Sequence, residues 1–284
     1  MKRTLITGAN SFVGTSFERY ISENFSNDFY IDTIDVKDST WRDRSFSGFD
    51  TIFHVAAIVH IKETAENRQT YFDVNRDLTV EIAKKAKAEG VGQFVFLSSM
   101  SVYGLTTGVI TKDTKPTPNT AYGISKKEAE EVILALSDSH FKIVVLRPPM
   151  IYGSGCKGNY LLLRKLALKL PLFPKVNNNR SMLYIGNLVE IVRLVIENDE
   201  EGVFYPQNTE YTNTSEMVKL IALTNHKKVY LVSGFNWILK ILSHVTDLVD
   251  KAFGDLTYDE TMSCYPGGYE RYSLEDSIRE TERE

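Results

Sequence analysis

The sequence predicts an α/β fold: a doubly wound parallel sheet with a smaller C-terminal α/β lobe. Three observations carry that expectation. Short apolar runs rich in β-branched residues, at 4–7, 29–34, 51–55 and 93–97, read as buried strands and alternate with segments of helical spacing. A small-residue turn, Gly8-Ala9-Asn10-Ser11-Phe12-Val13-Gly14, joins the first strand to the first helix. The 284 residues suffice for one large α/β unit or two lobes.

Bulk composition narrows the class. With 43% hydrophobic and 25% charged residues the chain is ordinary for a globular protein, and a net charge of −4 leaves no basic footprint for nucleic acid. Cys156 and Cys264 lack metal-type spacing and read as free thiols in a reducing compartment, so no metal site is expected. Met1-Lys2-Arg3 is basic, but Gly8-Ala9-Asn10-Ser11 interrupts any apolar run too early for a signal peptide. No stretch of about eighteen uncharged apolar residues suggests a transmembrane helix. A cytoplasmic location follows as the expectation.

Taken in order, strand 4–7 delivers the glycine turn. Such a turn lets bare backbone reach a pyrophosphate: Gly8 makes the tight bend, Gly14 permits close helix–strand packing, and the helix N-terminus faces the phosphate charge. The helix from 13 to 24 places Val13, Phe17 and Ile21 on one face. Strand 29–34 ends at Asp35, about twenty residues past the turn, where a carboxylate accepts both hydroxyls of an adenosine ribose and repels a 2′-phosphate. That favours NAD over NADP, although Lys37, Arg42 and Arg44 soften the exclusion. Strand 51–55 is followed by Ala56 and Ala57, small enough to admit a flat ligand. His54 within it reads as a packed core histidine.

Residues 66–89 read as one long helix with the stripe Val74, Leu78, Ile82 and Ala86, closed by Gly90. Asn75 lies beside that stripe and needs partners, for which neighbouring strand backbone suffices. After strand 93–97 comes Ser98-Ser99-Met100-Ser101-Val102-Tyr103-Gly104, then a polar stretch at 106–120 that reads as a loop across the mouth of a site. Ala121-Tyr122-Gly123-Ile124-Ser125-Lys126 opens a helix to about residue 136. Tyr122 and Lys126, four apart, share a face. Such pairs also arise on ordinary surface helices, but an ammonium beside a phenol lowers the phenol pKa from about 10 and makes it a proton carrier near neutral pH. Ser99, at the end of the adjacent strand, can bond the same substrate oxygen.

These pieces together resemble the extended short-chain dehydrogenase/reductase family, built on the Rossmann fold. The matching residues are the turn 7–14, Asp35, His54-Val55-Ala56-Ala57, Asn75, the segment 98–104, Tyr122-Gly123-Ile124-Ser125-Lys126 and Arg147-Pro148-Pro149-Met150-Ile151-Tyr152-Gly153. Ser11 departs from the usual glycine. The resemblance implies a dinucleotide-binding domain over 1–155, with a returning segment near 181–208, and a substrate lobe mainly over 156–284. It implies Tyr122 as general acid/base, Lys126 on the nicotinamide ribose and Ser99 polarising the reacting oxygen. Gly8, Asn10, Ser11, Phe12, Val13, Gly14, Asp35, Ala56, Ala57, Asn75, Ser98, Tyr122, Lys126 and Pro149 would line the NAD site. Asn159 would contact the sugar diphosphate. Related enzymes often dimerise through the two long helices, and a homodimer is the expectation.

Further on, 156–170 reads as a loop and a helix, and Pro171 and Pro174 bracket a turn. Arg180, between a polar loop and an apolar strand, can grip a diphosphate bidentately, as the matching arginine does in nucleotide-sugar relatives. The segment 147–188 looks most like bacterial enzymes making 6-deoxy-N-acetylhexosamine nucleotides for surface polysaccharide. A helix at 188–196 and a strand at 203–205 return to the first lobe. Ser215 reads as the cap of a helix to 223, and 229–232 as a strand. An amphipathic helix is expected at 235–251, then a disordered acidic end with a trace of strand at 273–276. The reading is a reductase of a UDP-4-keto-6-deoxy-N-acetylhexosamine. The alternatives are a UDP-glucose or UDP-N-acetylglucosamine 4-epimerase, which shares every catalytic residue, and a non-catalytic dinucleotide-sensing regulator.

Overall fold

Leu5, Ile52, Phe94 and Ile143 lie in register and point to one face of a sheet, while Ile6, Phe53, Val95 and Val144 point to the other; all eight are buried. A strand apolar on both faces must be covered on both, which is what a doubly wound sheet requires. The computed structural model, describing residues 1–59, 61–234 and 253–283, shows that arrangement. In chain order the elements are β1 (Lys2–Thr7), α1 (Phe12–Asn24), β2 (Phe29–Ile34), β3 (Thr51–His54), α2 (Arg68–Phe72), α3 (Thr79–Ala88), β4 (Gln93–Leu97), β5 (Gly108–Ile110), α4 (Ala121–Leu134), β6 (Lys142–Leu146), β7 (Met150–Tyr152) and α5 (Asn159–Lys169). They continue with β8 (Leu172–Pro174), β9 (Met182–Tyr184), α6 (Ile185–Glu197), β10 (Gly202–Phe204), α7 (Thr214–Thr224), β11 (Tyr230–Val232), β12 (Leu256–Tyr258) and a last helix at Leu274–Thr281.

Two compact units emerge. The first comprises residues 1–104, 115–148 and 188–206. Its six strands run parallel in the order β10-β6-β4-β3-β1-β2. The order reverses at β1, so the chain leaves β1 and β3 in opposite directions and opens a crevice at their carboxyl ends. Trp41, Phe46, Ile82, Ala86 and Ile133 pack on one face of the sheet, and Phe17 meets Phe53 edge-on at 5.3 Å on the other.

The second unit comprises residues 105–114, 149–187 and 207–284 and contains three short parallel pairs, β5 with β12, β7 with β9 and β8 with β11. Buried Tyr152 joins Ser277 at 2.6 Å and Asn208 at 3.0 Å, and Asn208 in turn accepts from Asn187.

Several local expectations change. The stretch 106–120 is not wholly loop: β5 pairs with a strand nearly 150 residues later, a partner no local pattern reveals. Pro174 ends β8 rather than closing a turn, and α7 is capped by Asn213, because the Ser215 hydroxyl is taken by Val176 and Pro174 backbone. The end of the chain is helical, not disordered or strand. Ser273 caps it, and buried Glu282 accepts from Tyr160 at 2.7 Å, Arg164 at 2.7 Å and Asn225 at 2.7 Å. The amphipathic segment at 235–251 lies outside the described residues. No helix among the described residues is long and apolar enough to cross a membrane.

Candidate active site

The glycine turn follows β1. Gly8 has φ of +117°, and a Cβ there would stand 2.8 Å from the Ala56 nitrogen, so β1 and the end of β3 touch only because the side chain is absent. Gly8 and Ala9 donate to the Ile34 carbonyl at 3.0 and 3.2 Å, which fixes the bend. Ser11 adopts an ordinary extended conformation, and its Oγ accepts the Gly14 amide at 3.1 Å. The serine is therefore the N-cap of α1, a role worth about 1 kcal/mol. Phe12 and Val13 occupy the first two helical positions, where amides have no intrahelical acceptor and can face an anion.

Asp35 is exposed one residue past β2, with Oδ1 accepting the Lys37 amide at 3.0 Å and Oδ2 3.7 Å from the Lys37 ammonium. The other nearby cations are engaged. Arg42 makes a two-pronged bond to Glu81 at 2.5 and 2.6 Å, and Arg44 bonds Asp32 at 2.5 Å. The softening of NADP exclusion expected from these arginines is thereby reduced. Ala56 and Ala57 follow β3 as read, and a carboxylate, an open crevice and free helix-start amides form a donor set that fits a dinucleotide.

The long helix expected over 66–89 is interrupted. Residues Asp73–Leu78 form a π segment, and Asn75 sits inside it, fully buried. The wider turn swings the amide toward Ile58, whose N–H it accepts at 2.8 Å and whose carbonyl it bonds at 3.0 Å. Thr79 returns a bond to the Asn75 carbonyl at 2.9 Å. His54 links the layers: Nε2 meets Thr79 at 3.0 Å, Nδ1 meets Thr7 at 2.6 Å, and Phe94 and Phe96 stack on the ring. Burial depresses it to about 3, so it stays neutral.

The proton-handling groups collect where β4 meets α4. Thr120 caps α4 through the Gly123 amide at 3.1 Å. A Cβ on Gly123 would lie 2.6 Å from the Ser101 carbonyl, so the helix start rests directly on the turn after β4. That contact brings half-buried Tyr122 beside Ser99. Ser99 in turn caps the turn Met100–Tyr103 and donates to exposed Ser101 at 3.2 Å.

Lys126 does not lower the phenol pKa as the spacing alone suggested. Burial pushes Tyr122 up to about 12, partly offset by Ser99. Lys126, 1% exposed, points its Nζ at the Leu97 carbonyl, 2.8 Å away, and over the Phe96 ring at 4.5 Å. Burial brings it down to about 7, with Glu130 pulling it back up. Desolvation outweighs the attraction the spacing implied.

Two residues to which no role was attached complete this wall. Ser98, expected on the cofactor, donates its hydroxyl to buried Glu130. Arg147 bonds Glu130 at 2.6 Å and the Tyr103 hydroxyl at 2.9 Å. The available signal was Glu130 lying four residues beyond Lys126 on the same helix face. In the second unit, Pro149 is buried, Asn159 is exposed at the first turn of α5, and Arg180 bonds the Gly254 carbonyl at 2.6 Å. Among the described residues no cluster of His, Cys, Asp and Glu could hold a metal.

Comparison with known proteins agrees with this geometry. Residues 4–206 match the NAD dependent epimerase/dehydratase family. A UDP-glucose 4-epimerase of Vibrio cholerae is 30% identical, covering 91% of this chain and 87% of that one. An N-acetyl-α-D-glucosaminyl-diphospho-ditrans,octacis-undecaprenol 4-epimerase of Escherichia coli O157:H7 is 28% identical, covering 79% and 73%. The fold is shared with the UDP-glucuronic acid 4-epimerase from Bacillus cereus solved with NAD, at TM-score 0.74 and 16% identity over 99% of this chain and 97% of that one. A dTDP-4-dehydrorhamnose reductase from Clostridium acetobutylicum superposes at TM-score 0.76 and 17% identity, covering 98% of each chain.

Proposed function

Because the chain belongs to the NAD-dependent epimerase/dehydratase family, we propose that it is an NAD-dependent 4-epimerase of a UDP-hexose or UDP-N-acetylhexosamine. Bound NAD would supply the acceptor and donor of the C4 hydride. The observation that carries the reading is Tyr122 beside Ser99 and one helical turn from buried Lys126, whose Nζ meets the Leu97 carbonyl at the carboxyl end of a parallel strand. Both curated relatives named above are 4-epimerases.

In this mechanism Tyr122 exchanges a proton with the C4 hydroxyl, a role that requires ligand binding to offset the rise burial imposes on the phenol. Ser99 donates to the C4 oxygen as it becomes a carbonyl. With bound NAD supplying and taking back the C4 hydride, Tyr122 would return the proton to the C4 oxygen, so atoms and charge balance with no net proton consumed. Gly8, Asn10, Ser11, Phe12, Val13 and Gly14 would hold the pyrophosphate, Asp35 the adenosine ribose, and Ala56, Ala57, Asn75, Ser98 and Pro149 the remaining walls. Arg180 and Asn159 would hold the sugar diphosphate.

A second reading, a reductase of a UDP-4-keto-6-deoxy-N-acetylhexosamine, is favoured by one feature. A reductase draws a proton from bulk on each turnover, and Ser99, beside Tyr122, is hydrogen-bonded to exposed Ser101.

Purified protein is incubated with UDP-glucose and UDP-N-acetylglucosamine without added cofactor. Interconversion at C4, with NAD retained through purification, is the expected result. Consumption of added NADH or NADPH on a 4-keto sugar, with no interconversion, selects the reductase. Tyr122→Phe lowers kcat by roughly 10²–10⁴-fold and leaves NAD bound; unchanged turnover would overturn the catalytic assignment.

A further inference from the structure

Tyr122, Lys126 and Glu130 recur every fourth residue along α4 and so share one face. The proposed reaction uses the first two. Glu130 is 1% exposed, and its carboxylate is fully engaged. Arg147 Nη2 donates to Oε2 at 2.6 Å, and Arg147 Nε lies 3.1 Å from Oε1 and 3.2 Å from Oε2. Ser98 donates its hydroxyl to Oε1. A buried ion pair is a weak source of stability, because desolvating two charges offsets most of their attraction. Its presence behind a buried lysine calls for another reason.

The connectivity supplies one. Leu97 and Ser98 are consecutive at the end of β4. The Leu97 carbonyl receives Lys126 at 2.8 Å, and the Ser98 hydroxyl meets Glu130. Two successive turns of α4 are thus stitched to two successive strand residues, and Ser99 is the next one along. The titratable groups around Lys126 come from each element packed there. His54 stands on β3, buried and neutral; Tyr122 is one turn earlier on α4, with Tyr71 of α2 acting on it; Glu130 is one turn later, backed by Arg147 and Tyr103. Arg76 of the π segment is bonded to Asp77 and Glu128 instead. Glu130 makes no direct bond to Lys126, and its charge opposes the lowering that burial imposes on the lysine.

We propose that Glu130, gripped by Arg147 and Ser98, is a positioning residue that keeps the Lys126 head group protonated and seated on the Leu97 carbonyl. The role rests on the proposed use of Lys126 in turnover. Glu130 touches no reacting atom and acts through the lysine.

The test reads the lysine directly. With lysine labelled at ¹³Cε and the Lys126 resonance assigned by its loss in Lys126→Met, the head group is titrated in the substrate-free protein. Glu130→Gln shifts its midpoint down by about one pH unit or more. The alkaline limb of turnover moves the same way, and kcat falls while KM holds. Glutamine leaves Arg147 buried without its carboxylate, so Glu130→Gln/Arg147→Met is made in parallel. Replacing both charges by neutral groups preserves folding, and the downward shift persists at reduced size because the arginine's repulsion is also removed. A folded variant of either kind whose lysine titrates as in the wild type overturns the proposal. If the wild type converts no UDP-hexose, the proposed reaction fails, while the titration still decides the role of Glu130.

Discussion

Arg147 and Lys126 are both buried cations of the first unit, and they are satisfied in opposite ways. Arg147 lies against a carboxylate, and its pKa is raised by Glu130. Lys126 lies against a main-chain carbonyl, and burial brings it to about 7. The first arrangement holds its charge at any accessible pH. The second leaves the charge near its tipping point, where a proton can be moved at little cost. In the second unit half-buried Arg180 bonds the Gly254 carbonyl, and burial lowers its pKa while Asp255 raises it.

Removing the neutralised cation should cost most in stability. Arg147→Ala strands Glu130 and destabilises the protein by about 3–5 kcal/mol, read as a lowered denaturant midpoint. If stability is unchanged, the environments of Arg147 and Lys126 do not differ as described.

Lys126→Met should do the reverse. Turnover falls by about 10²-fold or more, while stability at pH 7 holds or rises because a desolvated ammonium is gone. The pH dependence sharpens this. The folded-state value of about 7 lies below the 10.5 of an exposed lysine, so between them the unfolded chain holds the extra proton. Wild-type stability therefore rises with pH across that window. Unfolding curves of Lys126→Met against pH should lack that rise.

Arg180→Met should raise KM for the UDP-sugar by about 10–100-fold, the loss of a charge-assisted bond to phosphate, with NAD affinity unchanged by calorimetry. An equal loss of NAD affinity would remove Arg180 from the substrate side.

Asp35→Ser should give the smallest effect. It relieves repulsion of a 2′-phosphate, but Arg42 and Arg44 stay bound to Glu81 and Asp32. The NADP/NAD preference ratio should rise by no more than about tenfold. A larger rise would mean that those ion pairs open.

What could be read from the chain beforehand follows the range of the interactions. Strands β1 to β4 and the start of α4 declare themselves through apolar runs and a glycine turn, signals contained within a few residues. Ser99 and Tyr122 were nameable, and the structure brings them together. The engagement of Glu130 by Ser98 and Arg147 was not legible, because it joins a strand end, a helix and the residue after another strand. The same holds for β5 with β12 and for Glu282 on Tyr160, Arg164 and Asn225. The sign of the Tyr122 shift also depended on burial, which spacing does not report.

The π segment at Asp73–Leu78 sets how this region tolerates length change. A bulge of this kind amounts to one surplus residue in a regular helix. Excising a single residue there would rewind the coil and rotate everything on one side of the cut by about 100° relative to the other. Asn75 would lose its hold on Ile58, and the loop after β3 would come adrift. Single-residue deletions in this short window should be purged from functional libraries far more sharply than point substitutions at its exposed positions.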